Sequence, residues 1–332
     1  MEILRNSIDR AEWSKLVAAS VTGTWFQSPE AYEFYASMPE LFRPFAVGLE
    51  NEGMLRTICV GYVTVEKSAM KQGLTRRAII VGGPALADDA TDVEVVELMK
   101  AVREELKREV IYVECRNFND YSKWKGAFAA AGFAYVPHLN FHVDTSSVEV
   151  VEANLGKSRK RDVRTTIREG VSVIEHPTDE QVCEYYKVLD NLYRTKVKTP
   201  LFPLSFFLAL SKHKDGRLLL MEYQGRIIGG TVCVEQANKC VYEWFVCGED
   251  GVYPHVFPSS YATYAGIKYA SEHGCARFDM MGAGTPDEEY GVRDFKARFG
   301  GELVEHGRFL CVTKPVLYRI GKLGVAILKM RK

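Results

Sequence analysis

Residues 278–301 read FDMMGAGTPDEEYGVRDFKARFGG. Phe278–Met281 reads as the end of an apolar strand, the glycines and proline behind it as a turn, and Val292–Phe299 as a short helix carrying Phe295 and Lys296 side by side. Asp279 therefore falls at the C-terminal end of a strand, the edge at which open α/β sheets place their ligands. The MGAG turn is too short to cradle a phosphate.

The stretch KARFGG, Lys296–Gly301, has a counterpart in KGAFAAAGF, Lys125–Phe133. Each has Lys, then Phe three residues on, then Gly, and i, i+3 spacing puts Lys and Phe on one helix face. The elements around the two stretches also repeat. The first half reads as a short start at Glu2–Arg5, helices Ile8–Ala19 and Pro29–Met38, and strands Phe45–Glu50, Leu55–Glu66 and Arg76–Val81. A long amphipathic helix follows, with Val95, Leu98, Met99, Val102 and Leu106 at helical spacing, then strand VIYVECR, helix YSKWKGAFAAAG and strand LNFHVDT. From Val171 the order returns: strand VSVIE, helices Asp179–Arg194 and Leu204–Ser211, and strands Leu218–Tyr223, Ile227–Glu235 and Val241–Cys247. Helix Ser259–His273, strand ARFDMM, the short helix and strands GELVEHG and RFLCVT complete it.

Glycine turns such as YQGRIIGG join the central strands as hairpins while helices join the others, so each half is expected to hold a mixed sheet. The fold class is α/β in the α+β, mixed-sheet sense, with one fold occurring twice. The expected boundaries are 1–147 and 171–313 for the two copies, 148–170 for a basic helical junction, and 314–332 for a basic amphipathic C-terminal helix.

A chain of 332 residues is long enough for two such cores. Lys plus Arg and Asp plus Glu both total 43, so no global field draws the protein onto nucleic acid, and any basic function is local. The start MEILRNSIDRAEW lacks the pattern of a signal peptide and no run reaches the ~20 apolar residues of a membrane span, which points to a cytoplasmic protein. The eight cysteines include no C-x-x-C pair and read as reduced, mostly buried thiols.

The motifs TWFQSPEAY, VGGPAL, LGKSRKRDVRTTIREGVSV, IIGGTV and YGVRDFKARFGG follow one another along nearly the whole chain. The element order resembles the N-acetyltransferase (GNAT) fold, and its tandem duplication resembles the FemAB-like, or Fem, peptidoglycan-bridge aminoacyltransferases. The resemblance implies an acyltransferase that moves an activated acyl or aminoacyl group to an amine of a cell-envelope precursor. It implies an aminoacyl-tRNA donor, with acyl-CoA as the alternative, and no tightly bound cofactor. One alternative is acyl-CoA-dependent N-acylation in surface-polysaccharide synthesis; another is a non-catalytic binding module on the duplicated scaffold. The acyl-CoA signature R/Q-x-x-G-x-G/A is missing, and its slot holds YPHVFPSSYATY, where Ser259 or Ser260 reads as a helix N-cap.

Lys296 matches the family lysine that lines the substrate channel, so the resemblance assigns it stabilisation of the carbonyl oxyanion, with Phe295 shaping the wall. Its alternative is a surface helix lysine. Asp279 is expected to accept a proton from the attacking ammonium or hold the amine in line, and alternatively to cap the turn. Tyr290 is expected to donate to a substrate carbonyl, or to pack on the strand ends. Arg116, at a strand end, is a further substrate-binding candidate. Lys157, Arg159, Arg161 and Arg164 of the junction could meet a phosphate backbone, of tRNA or of a lipid-linked diphosphate, against a solvated helix face.

The tail puts Val316, Leu317, Ile320, Leu323 and Ile327 on one side and Arg319, Lys322, Lys329, Arg331 and Lys332 elsewhere. It reads as docking on the second copy or as a peripheral membrane contact. His138 and His142 share a strand face without the partners a metal site needs, so no metal is expected. The chemistry is placed in the later copy.

Overall fold

The computed structural model describes residues 1–5, 7–65 and 75–330, with the side chains of 323–330 left aside. The chain divides into two compact units, Met1–His138 with Glu305–Lys332, and Leu139–Val304.

The first unit opens with β1 (Glu2–Arg5), α1 (Arg10–Ala19), α2 (Pro29–Ala36), β2 (Phe42–Asn51), β3 (Met54–Thr64), β4 (Arg77–Gly82) and β5 (Ala85–Leu86). Then come α3 (Asp92–Leu106), β6 (Tyr112–Asn117), α4 (Lys125–Ala130) and β7 (Ala134–Val136). Thr91 starts α3 with a capping box closed by Glu94. Buried Glu94 also takes Arg56 at 3.0 Å, which ties the helix start to β3. One face of the sheet, with Val47, Cys59, Ile80, Val113 and Cys115, packs under Val95, Leu98 and Val102 of α3. Trp13, Leu16 and Val17 of α1 cover Ile58 and Val60 on the other face.

The second unit runs β8 (Leu139–Asp144), α5 (Val148–Asn154), α6 (Lys157–Arg168), β9 (Ser172–Ile174), α7 (Asp179–Leu192), α8 (Leu204–Lys212), β10 (Gly216–Tyr223), β11 (Arg226–Gln236) and β12 (Cys240–Gly248). It continues through α9 (Pro258–Glu272), β13 (Arg277–Asp279), α10 (Gly291–Ala297) and β14 (Glu302–Glu305), after which β15 (Arg308–Val312) and α11 (Pro315–Met330) return to the first unit. The second sheet has the order β14-β8-β13-β12-β11-β10-β9. The β12–β13 pair is parallel and joined by α9, whereas β10, β11 and β12 form an antiparallel meander, so the sheet is mixed as expected. Close approach of α9 to the sheet needs Gly266, because a Cβ there would lie 2.8 Å from the Phe278 ring.

The domain boundaries expected at 147 and 171–313 are corrected by strand exchange. β8, expected to close the first copy, pairs with β13, with Val143 opposite Phe278 and His142 opposite Asp279. β15, expected to close the second copy, pairs instead with β6 and β7. Sheet partners are non-local, and an alternating strand of six residues fits either sheet equally well by pattern. The expected junction at 148–170 is α5 and α6, both within the second unit.

The tail helix α11, expected to dock on the second copy, belongs to the first unit, where Tyr318 meets Tyr112 of β6 edge-on at 5.4 Å. Val316 and Ile320 on its apolar side are exposed, while the side chains of Leu323, Ile327 and Lys329, together with Arg331 and Lys332, lie outside the described residues. Among the described residues no helix is long and apolar enough to cross a membrane.

Candidate active site

β13 ends at Asp279, and the chain then reverses through Met281 at φ 53° and Gly282 at φ 116°. That reversal turns the carbonyls of Met280 and Gly282 toward α10, where the Lys296 Nζ donates to both, to Gly282 at 2.8 Å. Lys296 is only 8% exposed, so it is a buried ammonium and not a surface lysine. Burial holds its pKa below the usual lysine range, while the charges of Glu243 and then Asp279 pull it back up.

Glu243, in the middle of β12, was not singled out from the sequence. It is buried, and its Oε1 accepts from Thr231 Oγ1 at 3.3 Å. Burial raises its pKa above the usual carboxylate range against the opposing pull of Lys296. The sequence signal for it is a lone acid in an otherwise apolar strand, VYEWFVC.

Asp279 is fully buried and heavily engaged. Its Oδ1 accepts from Asn140 Nδ2 at 2.7 Å and from the Met281 amide at 2.8 Å, and its Oδ2 lies 3.1 Å from His142 Nε2. Burial pushes its pKa up, but His142, Arg277 and Asn140 outweigh that and hold it below the usual range. Asn140 Oδ1 in turn accepts from the Gly282 amide at 2.7 Å. The exchanged strand β8 thus brings Asn140 and His142, two residues apart and on one face, against the end of β13. His138, on which the pair of histidines depended, lies in the first unit beside Arg308. Among the described residues no group of three His, Cys, Asp or Glu side chains suits a metal ion.

Phe295 stands beside this cluster and stacks under Arg159, whose guanidinium lies 4.5 Å from the ring centroid and 5.2 Å from that of Phe299. Arg159 is buried and bonded to Asp162 at 3.0 Å and Ser260 at 2.9 Å, so it locks α6 to α9 and α10. Lys157, Arg161 and Arg164 point outward and are exposed. Tyr290 is 44% exposed and lies against Gly284, where an added Cβ would come 2.9 Å from its ring. Arg116 lies on β6 of the first unit and is bonded to Glu114. The start of α9 also differs from expectation. Pro258 opens the helix, Ser259 donates its amide to Asp250 Oδ1 at 3.2 Å, and Ser260 receives Arg159, so neither serine caps the helix.

Residues 219–323, which contain Glu243, Asp279 and Lys296, match the model of the FemAB family. The chain is similar to that family over the matched stretch. Its fold is similar to the crystal structure of FemX, with a TM-score of 0.73 at 14% identity over 96% of this chain and 99% of that one. It is also similar to the C-terminal domain of a putative lysylphosphatidylglycerol synthetase from Agrobacterium fabrum, with a TM-score of 0.59 at 13% identity over 96% of each chain. A tandem GNAT protein from the clavulanic acid biosynthesis pathway gives 0.57 at 9% identity, over 94% of this chain and 99% of that one. At such identities the likeness is one of fold, and the chain consists of two GNAT-like units. No curated protein matches its sequence. The match to the family model and the fold together support an acyl- or aminoacyl-transferase kind of function.

Proposed function

We propose that the second unit transfers an aminoacyl or acyl group to the amine of a cell-envelope precursor, with aminoacyl-tRNA as donor. The observation that carries this reading is the buried Lys296 ammonium, seated on two carbonyl oxygens at the C-terminal end of β13 between Glu243 and Asp279.

In the reaction an amine nitrogen bonds to the ester carbonyl carbon, the carbon–oxygen bond to the tRNA ribose breaks, and the amine proton leaves with the ribose hydroxyl or to solvent. Negative charge builds on the carbonyl oxygen. An ammonium has three N–H donors, and Lys296 spends two on Met280 and Gly282, which leaves the third for that oxygen. Asp279, with Oδ1 taken by Asn140 and the Met281 amide and Oδ2 facing His142, acts by positioning: it keeps Lys296 charged and orients His142. Phe295 and Tyr290 wall the approach. The exposed Lys157, Arg161 and Arg164 suit the phosphates of a tRNA acceptor end, and Arg159 holds their helix in place. The start of α9, where an acyl-CoA pyrophosphate would sit in this fold, gives its Ser259 amide to the Asp250 carboxylate, which favours tRNA over acyl-CoA. The exposed Val316 and Ile320 of α11 suit a peripheral contact with a membrane bearing a lipid-linked acceptor.

Single-turnover transfer from aminoacyl-tRNA, with Lys296→Ala and Lys296→Met compared with the unaltered chain, tests the assignment. A loss of about 10²- to 10³-fold is expected for a charge-stabilising group. A rate unchanged in a folded Lys296→Met chain would overturn it.

A further inference from the structure

The first unit carries a second concentration of charge that the transfer site does not use. β6 alternates, with Val113 and Cys115 in the apolar core and Tyr112, Glu114 and Arg116 on the opposite face. Strand register extends that face. Arg308 of β15 stands opposite Arg116, Arg77 of β4 opposite Tyr112, and Tyr62 of β3 opposite Ile79, which adjoins Glu114.

Two guanidinium groups therefore share one carboxylate, and that of Arg77 stands next to them at Tyr112. Glu114 Oε1 accepts from Arg308 Nη1 at 2.7 Å, and Oε2 accepts from Arg116 Nε at 2.9 Å. Burial pushes the Glu114 pKa up, yet Arg116 and Arg308 outweigh it and hold it at about 2. Arg308 Nη2 lies 2.8 Å from His138 Nε2, and Arg77 Nη1 reaches the Tyr112 hydroxyl at 3.4 Å. The Nε atoms of Arg77 and Arg308 are buried and meet no hydrogen-bond partner among the described residues. Burial raises the Tyr62 pKa, and both Arg116 and Arg77 act against it, so this phenol lies within the field of the two. The arginines outnumber the acid by two on a partly buried face, and cations removed from water call for a counter-charge.

We infer that this face of the first sheet binds an oxyanion, a phosphoryl or carboxylate group of a ligand, among Arg77, Arg116 and Arg308. Each guanidinium has five N–H donors in a planar fork matched to such a group, and only some are spent. Among the described residues Arg116 Nη1 and Arg77 Nη2 make no hydrogen bond, while the Nε atoms of Arg77 and Arg308 lie buried behind them. Glu114 occupies part of the cradle and competes with the ligand while it holds Arg116 and Arg308 in place. The inference does not depend on the transfer reaction.

Calorimetric titration of the full chain at low salt with pyrophosphate in one arm and citrate in the other tests it, and the arm that saturates identifies phosphoryl or carboxylate. Arg308→Gln and Arg77→Gln are each expected to weaken binding at least tenfold. Glu114→Gln is expected to tighten it several-fold, a change of sign that simple loss of structure would not give. Lys296→Met should leave the titration unaltered, which separates this site from the transfer site. Absence of saturable binding in both arms, or weaker binding in Glu114→Gln, would overturn the inference.

Discussion

Lys125 and Lys296 stand at the same place in the two copies, three residues ahead of Phe128 and Phe299. Both phenylalanines are buried, and Phe128 stacks on Phe309 at 3.8 Å. The lysines differ. Lys125 is exposed, with its Nζ 3.8 Å from the Tyr135 ring centroid, whereas Lys296 is drawn inward to two carbonyls and two acids. Burial of Lys296 disfavours its charge, and Glu243 is the larger of the two carboxylate influences that restore it. Glu243→Gln removes that influence, so the lysine pKa falls further and the protonated fraction is lost at lower pH. The alkaline limb of the single-turnover pH–rate profile is therefore expected to move to lower pH, while Tyr290→Phe leaves it in place. A limb that stays fixed in Glu243→Gln would show that the protonation of Lys296 does not govern transfer. Lys296, Asp279 and Phe295 were legible in the sequence from one contiguous stretch. Glu243, Asn140 and His142 were not read as site residues, because they come from strands distant in sequence and only sheet pairing brings them to Asp279.

At the level of elements, α10 owes its seat to the junction helices. The chain between α5 and α6 passes against the turn behind α10, with the Gly156 amide donating to the Arg298 carbonyl at 3.0 Å. Gly300 in that turn has φ +78°, and a Cβ there would lie 2.2 Å from the Asn154 carbonyl oxygen. Left-handed backbone costs a non-glycine residue about 1–3 kcal/mol, and the backbone clash adds to it. Gly225 has a similar φ, +74°, with nothing within 4 Å of the added carbon. Gly300→Ala is thus expected to lower the melting temperature more than Gly225→Ala and to slow transfer as Lys296 shifts. Equal melting temperatures and equal rates in the two variants would refute the coupling of α10 to the junction. The basic run of α6 shows the same dependence on packing. Composition marks it as charged, but the 3.6-residue period sorts Arg159 inward to Asp162 and Ser260 and leaves Lys157, Arg161 and Arg164 outside.

Across the whole molecule, the duplicated element order was legible because hydrophobic periodicity and turn residues act locally, and α1, α3, α7, α9 and the β10–β12 meander fall close to where periodicity places them. The chain's double passage between units was not legible, since pairing of β8 with β13 and of β15 with β6 depends on which sheet offers an open edge, a property no local pattern carries. Fragment stability distinguishes the two divisions. A fragment covering residues 148–313 follows the sequence-based boundary and lacks β8, so β13 loses its antiparallel neighbour, β14 loses its attachment, and Asp279 loses Asn140 and His142. Buried Asp279 then keeps the Met281 amide and the fields of Arg277 and Lys296 but loses its two side-chain partners, and breaking such a set costs about 3–5 kcal/mol, a large part of the total stability of many domains. A fragment covering Leu139–Val304 keeps all seven strands in order. Thermal unfolding followed by circular dichroism is expected to show a cooperative transition for the 139–304 fragment and none for 148–313. The restored transition should disappear again when Asn140 and His142 are both replaced by Ala in the longer piece, because β8 would then return the backbone pairing but not the partners of Asp279. Cooperative melting of the 148–313 fragment would instead place the boundary where the sequence pattern put it and make β8 dispensable to the second sheet.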